Sequence, residues 1–390
     1  MAIGTITGIK SNDNDLKLTV NKNFVWLDKN NSDTVTVTTP SDGKIYVLSS
    51  ANNVISATIN ANVITLKALK YGTAIITVSQ DTGTGDYINK MPTSKNIFVT
   101  NIDPMLENNS WEAISDVSQS GTGSNYWSVG DMKSITLNGT IGILSLSNFV
   151  TNVFILHFNY PSNGKVNNNI IWGGFKDSNG KNIALVDSNY NNSSMDGTMY
   201  FNMNHWGDNT YGGWKGCDLR YDILGATSTA PSDYGLDPSS TRIGYDATQN
   251  TISSPVPNTL MAALSSDFRN SLKLWSRWID IIGQNSNEEQ NIQETIDAIS
   301  LLAEFEVFGT RTYANQYEQN HQIQIDYYKL GNYKYKYYHN NPDEVVDRWW
   351  LASPHIGTIS IDNRFCSVLG GRISNAASRA SFAIAPVFKT

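Results

Sequence analysis

The chain is poor in cysteine, in charge and in long apolar runs. Two cysteines, Cys217 and Cys366, stand far apart in 390 residues. They form no metal-ligand spacing and no disulfide framework, so the reading is two free thiols in a protein made in a reducing cytoplasm. Charged residues make up only 16% of the chain, against about 25% in typical soluble domains. The net charge is −7 and no Lys/Arg-rich run occurs, which speaks against nucleic acid and anionic membrane as partners. No apolar run reaches the roughly 18 residues that a membrane-crossing helix needs, so no membrane insertion is expected. Met1-Ala2-Ile3-Gly4-Thr5 lacks a charged n-region and an apolar h-region, and so is not read as a signal peptide.

What is present is aromatic and uncharged-polar. Aromatics are 11% of the chain, with 10 Trp and 19 Tyr. Asn, Ser, Thr and Gly supply much of the polarity. This suits a β-rich extracellular or virion protein with uncharged loops better than a metabolic enzyme. The length allows two or three domains with a sizeable core.

The first hundred residues read as short strands separated by turns. Thr34–Thr38, Lys44–Leu48, Val63–Leu66 and Thr73–Val78 alternate with period two at a spacing near ten residues, the pattern of a β-sandwich of about seven strands. The run Val54-Ile55-Ser56-Ala57-Thr58-Ile59, Val63-Ile64-Thr65-Leu66-Lys67-Ala68 and Gly72-Thr73-Ala74-Ile75-Ile76-Thr77-Val78 resembles the group 2 bacterial immunoglobulin-like domain. That resemblance implies a spacer or adhesion module without catalysis over residues 1–101. Asn101-Ile102-Asp103-Pro104 marks a boundary, and a second domain is expected over 105–390.

Within that second domain, residues 105–255 read as β-rich. Ser147–Phe158 is apolar on both faces, as in a strand buried on both sides. Asp177-Ser178-Asn179-Gly180 is a hairpin turn, and 226–257 is a long polar loop. In the part from 257 to 390, Pro257–Asn270 reads as a helix with Leu260, Ala263, Leu264 and Phe268 on one stripe. Lys273–Ile282 reads as a strand, 284–294 as a loop and Ile299–Phe308 as a strand. Tyr313–Leu330 holds a second helix ending at Gly331. In Tyr327–Tyr338, Lys329, Lys334 and Lys336 interleave with six tyrosines. The alternation suggests solvated lysines flanking a packed tyrosine face.

Few residues carry catalytic patterns. His157, His205, His321, His339 and His355 show no zinc spacing. His157, in an apolar strand, reads as structural. Asp13-Asn14-Asp15 and the acidic loop from Asp187 to Asp196 lack the glycine spacing of a calcium loop and read as turns. No cofactor and no metal is expected. Glu304 and Glu306, on one face of the expected strand and about 7 Å apart by strand rise, could form a glycosidase pair. The competing reading, that they hold arginines or cap a neighbouring helix, is preferred. Trp111, Trp127, Trp172, Trp206, Trp214, Trp275 and Trp278 mostly read as core, although exposed aromatics also stack on sugars. Trp349 and Trp350 must face opposite sides of a strand.

The last segment combines short apolar strands with small polar loops. Its motifs are Trp349-Trp350-Leu351-Ala352-Ser353-Pro354, Phe365-Cys366-Ser367-Val368 and Ala385-Pro386-Val387-Phe388. With Ser110-Trp111-Glu112-Ala113-Ile114, Phe305–Gly309 and Tyr313–Asn320, they resemble a domain of unknown function common in phage and Firmicutes surface or virion proteins. That domain looks like the C-type-lectin or formylglycine-generating-enzyme architecture. The resemblance implies a mainly β protein with an α+β C-terminal part, an immunoglobulin-like sandwich followed by a lectin-like domain. The family usually has Arg where Ala352 stands, which implies a local rearrangement. The enzymatic cousins need a reactive cysteine pair, which Cys217 and Cys366 do not match.

By analogy with that scaffold, the ligand contacts would be His355, Ile356, Ile359, Asp362, Asn363, Arg372, Ser374, Asn375, Ser378 and Arg379. The expectation is a bacteriophage virion protein, not an enzyme, that forms homo-oligomers. Its partners would be other virion proteins and a host-surface glycan or protein. The alternatives are a purely structural head-decoration, collar or tail-fibre component, and a glycan-cleaving enzyme.

Overall fold

The computed structural model describes residues 18–28, 31–39, 42–81, 94–162, 164–165, 167–192, 199–205, 210, 212–232, 242–283, 286–357 and 364–390. The protein is mainly β, with several separate sheets and short helices. It divides into two compact units, one up to Ala113 and one from Ile114.

The first unit contains β1 (Thr19–Val20), β2 (Phe24–Asp28), β3 (Ser32–Thr38), β4 (Ile45–Ser49), β5 (Ile55–Asn60), β6 (Val63–Ala68), β7 (Gly72–Gln80) and β8 (Ser94–Ile102). They form two four-stranded sheets, β1-β3-β6-β5 and β2-β8-β7-β4. Alternation decides which face is buried: along β6 every second residue is buried, Ile64, Leu66 and Ala68. Those side chains meet Val25, Leu27, Ile76, Val78, Ile97 and Val99 of the other sheet in one apolar core. β2 pairs parallel to β8, and the remaining ladders of both sheets are antiparallel.

The division falls within α1 (Trp111–Ser120), whose first turn is capped by Ser110 Oγ accepting from Ala113 N at 3.2 Å. Then come β9 (Met132–Ile141), β10 (Leu144–Phe158), β11 (Ile170–Lys176) and β12 (Ile183–Ala184). Further along lie α2 (Gln249–Ser253), α3 (Leu260–Ala263), α4 (Ser266–Ser271), β13 (Trp275–Asp280), β14 (Ile292–Asp297), α5 (Glu304–Phe308) and α6 (Asp326–Lys329). The chain closes with β15 (Tyr337–Tyr338), β16 (Asn341–Val345), β17 (Arg348–Pro354), β18 (Arg364–Leu369), β19 (Arg372–Ala377) and β20 (Val387–Lys389). The sheets are β20-β11-β10-β9, β12-β15-β16, β13-β14 and β17-β18-β19. All seven residues of β11 are buried, and β20 returns from the end of the chain to pair with it.

Several local expectations are corrected. Ser147–Phe158 is buried without a break only from Val153 to His157, and Val150 is 68% exposed. The helix expected over Pro257–Asn270 is two short helices, because Leu264 and Ser265 are extended between them. The loop expected over 226–257 contains α2, and its residues 233–241 lie outside the described residues. The loop expected over 284–294 gives way to β14 from Ile292.

Ile299–Phe308 is not a strand but ends in α5. Glu306 accepts from Ala303 N at 2.7 Å and so satisfies a free donor of the first turn. Gly309 closes the helix in the left-handed conformation, φ 68°. Tyr313–Leu330 is a 3-10 turn, Gln316–Asn320, followed by α6 rather than one helix.

Candidate binding surface

Glu304 and Glu306 are fully buried and bound to the fold. The Glu304 carboxylate accepts from three consecutive backbone amides, those of Thr312, Tyr313 and Ala314. Glu306 accepts from Tyr160 Oη at 2.6 Å and from the Arg277 guanidinium at 2.6 Å. Arg277 also donates to Leu301 O and lies 4.1 Å from the Trp275 ring centre. These carboxylates are occupied in holding an arginine and a loop, as the preferred reading had them, and present no surface to a polysaccharide.

The same frame fixes the base of the candidate ligand loop. Ser353 Oγ donates to Glu318 at 2.6 Å and accepts from Glu304 N at 3.1 Å. Glu318 accepts in turn from Asp280 N at 3.1 Å, and Asn315 Nδ2 donates to Asp280 at 3.0 Å. Burial pushes the Glu318 carboxyl up to about 8, opposed by the Ser353 hydrogen bond. Burial also raises Asp280. The tip of β17 is thus tied to β13, α5 and the 312–318 loop before the chain leaves at Pro354.

β17 itself is covered on both sides. Trp349 enters the main apolar core with Leu351, Cys366 and Val368, and its indole donates to Lys334 O at 2.9 Å. Trp350 faces the other way, 5.1 Å from the Phe382 ring, and donates to Phe201 O at 2.8 Å. The β17–β18 register is broken between Trp350 and Pro354, where Ala352 N donates instead to Leu302 O.

The ligand residues expected from the sequence separate into four groups. Ile359, Asp362 and Asn363 lie outside the described residues. His355 and Ser378, expected as ligand contacts, are 7% and 0% exposed. The His355 ring packs edge-on against Tyr313 at 5.1 Å, and burial followed by the nearby Arg364 lowers its basicity. Ile356 is half-buried and donates its amide to Tyr313 O. Ser374 and Asn375 are half-buried and held by arginines: Arg348 donates to Ser374 Oγ and Asn375 O, and Arg364 to Asn375 Oδ1. Arg379 is half-buried, while Arg372, beside the Gly370–Gly371 turn, is exposed.

The sequence reading missed a strip next to that turn. Tyr333 and Tyr335 are tilted by 32° with ring centres 4.8 Å apart, and Tyr337 meets Tyr335 edge-on at 5.8 Å and 80°. Tyr333 is 69% exposed. Gly371, at φ +84°, lies against Tyr335, so a Cβ there would be 3.6 Å from Tyr335 N. The intervening lysines point inward. Lys336 is 3% exposed with its amine 4.9 Å from the Trp349 ring centre, and Lys334 lies 5.8 Å from the ring centres of both Phe308 and Tyr328. The expected arrangement, lysines out and tyrosines in, is reversed at Lys336 and Tyr333, while Tyr327 and Tyr328 are buried and Lys329 is exposed as expected. The alternation that signalled it is the available clue, because a period of two leaves the choice of face open.

Other singled-out residues are structural. His157 pairs with Asp326 at 2.9 Å. Asp187 accepts from Asn189 N, Phe201 N and Ser381 Oγ, while Asp196 lies outside the described residues. Asp13, Asn14, Asp15 and Trp206 also lie outside them. Trp111, Trp127, Trp172, Trp214 and Trp275 are buried, and Trp278 stacks on His321 at 4.8 Å. Cys217 and Cys366 are free and buried, and burial raises both thiols, Cys217 to about 12. No group of three or more His, Cys, Asp or Glu among the described residues could hold a metal ion. No helix among them is long and apolar enough to cross a membrane. No protein-family model and no curated protein matches the chain.

Proposed function

We propose that the chain is a structural protein displayed on a bacteriophage virion, and that its C-terminal unit binds the host surface through a glycan. The two-sheet N-terminal unit, immunoglobulin-like by its sequence, attaches or spaces. The C-terminal unit, lectin-like by its sequence, recognises. The observation that carries this reading is the contrast at β17. Its strand is tied down by Ser353, Glu304 and Glu318, while in the same sheet the Gly370–Gly371 turn between β18 and β19 leads into the exposed Arg372. Fixed strands that present variable turns suit recognition, since the scaffold bears the ordering cost and the turns set specificity.

The test is adsorption of the full chain to envelope fractions of candidate host cells, before and after enzymatic removal of surface polysaccharide. Binding that disappears with the polysaccharide is expected. Absence of binding to every envelope fraction would sink the proposal.

A further inference from the structure

Among the described residues of the C-terminal unit, the most exposed large apolar side chains are Leu330 at 70% and Tyr333 at 69%. They flank the start of the tyrosine strip, in a unit that otherwise buries nearly all its tryptophans. We infer that Tyr333, Tyr335 and Tyr337 form a stacking platform for the pyranose rings of an uncharged saccharide. This rests on the glycan-binding reading above and names the ligand class and the residues.

The strip is rigid before any ligand arrives. Tyr337 N donates to Asn182 O at 2.8 Å, and β15 pairs parallel with β12. Asn332 Nδ2 donates to Tyr327 O at 2.8 Å, which fixes the turn just before Tyr333. The inward lysines anchor the backbone from beneath. Lys336 O accepts from Val346 N at 2.9 Å. The tilted and edge-on contacts between neighbouring rings restrict the side-chain torsions as well, which lowers the ordering cost of binding.

The surface chemistry selects the ligand. A pyranose ring carries an apolar C–H face edged by hydroxyls, and a tyrosine carries an apolar ring with a polar tip. Tyr333, at the end of the strip, is 69% exposed. At the Tyr337 end of the strip Lys181 lies 5.0 Å from the ring centre and pairs with Asp343 at 3.2 Å. A neutral sugar chain meets ring faces and hydroxyls there. The Gly370–Gly371 turn borders the platform at Tyr335 and could admit a sugar close to its backbone.

The experiment uses the full chain on an array of neutral and acidic oligosaccharides, followed by titration with the best neutral binder. Tyr333→Ala and the Tyr333→Ala, Tyr335→Ala double variant are compared with Tyr333→Phe, with thermal unfolding confirming that each is folded. Loss of an interface aromatic should weaken binding by about tenfold or more, and Tyr333→Phe should bind within about threefold of the parent. Unchanged binding by the double variant, or a preference for acidic over neutral oligosaccharides, would overturn the platform. Failure of the parent chain to bind any saccharide would instead overturn the glycan reading on which the platform rests.

Discussion

The amine of Lys336 lies 4.9 Å from the centre of the Trp349 ring, in a residue that is 3% exposed. Burial, with Lys176 nearby adding repulsion, pushes this lysine down to about 7 from an ordinary 10.5. Cation–π attraction offsets only part of the desolvation. The unfolded chain therefore binds a proton that the folded chain releases between pH 7 and 10.5. Stability should rise as pH rises through that window, and the full cost should be present below it. Lys336→Met, which keeps the stem and removes the charge, should stabilise the protein at pH 7 by about 2 kcal/mol. It should also flatten the pH dependence above 7. Urea unfolding at pH 7 and pH 10 checks both.

Glu318 predicts the opposite slope in a lower window. Its folded carboxyl titrates at about 8 rather than 4.5. The folded state keeps a proton that the unfolded state loses, so stability should fall as pH rises from 4.5 to 8. Glu318→Gln should be more stable than the parent above pH 8, by about 2 kcal/mol, and close to it below pH 4.5. Unfolding midpoints measured at pH 4 and pH 8.5 distinguish the two.

Arg277 and Glu306 form a buried pair at 2.6 Å, each under 3% exposed. Replacing Arg277 with Met strands a buried carboxylate and should cost about 3–5 kcal/mol. The double change Arg277→Met, Glu306→Gln should recover a large part of that loss. A double-mutant cycle in denaturant gives the coupling, and equal instability of the single and double variants would refute it.

Gly213 sits at φ +50°, and a Cβ there would lie 1.9 Å from the carbonyl oxygen of Asp280. Neither backbone can move without disturbing β13. Gly213→Ala should cost about 3 kcal/mol or more through strain and displacement together, read as a fall in melting temperature.

His339 gives a fifth test in acid. Burial lowers it to about 4 from 6.5, and its Nδ1 accepts from Val186 N at 3.3 Å, which requires the neutral ring. The unfolded chain takes up a proton between pH 6.5 and 4 that the folded chain refuses. Stability should fall as pH drops through that window, and His339→Gln should remove this part of the acid sensitivity. Thermal melts at pH 6.5 and pH 4.5 report it.

The sequence by itself determined the strands of the first unit. In Val63–Ala68 and Gly72–Gln80, a one-residue shift would move every buried side chain into water, so alternation fixes the register. It also determined that Trp349 and Trp350 face opposite ways, since adjacent residues on a strand must. Tertiary structure decided α5, where Arg277 and Tyr160 claim Glu306 and the amides of the loop that follows claim Glu304, and strand alternation carries no record of those partners. It also decided the fate of the expected ligand residues, burying His355 and Ser378 while leaving Arg372 in solvent. Above all it decided which side of the Tyr333–Tyr337 alternation faces inward. Long lysine stems reach the rings of Trp349, Phe308 and Tyr328, and that leaves Tyr333 exposed, with Tyr335 and Tyr337 half-buried beside it.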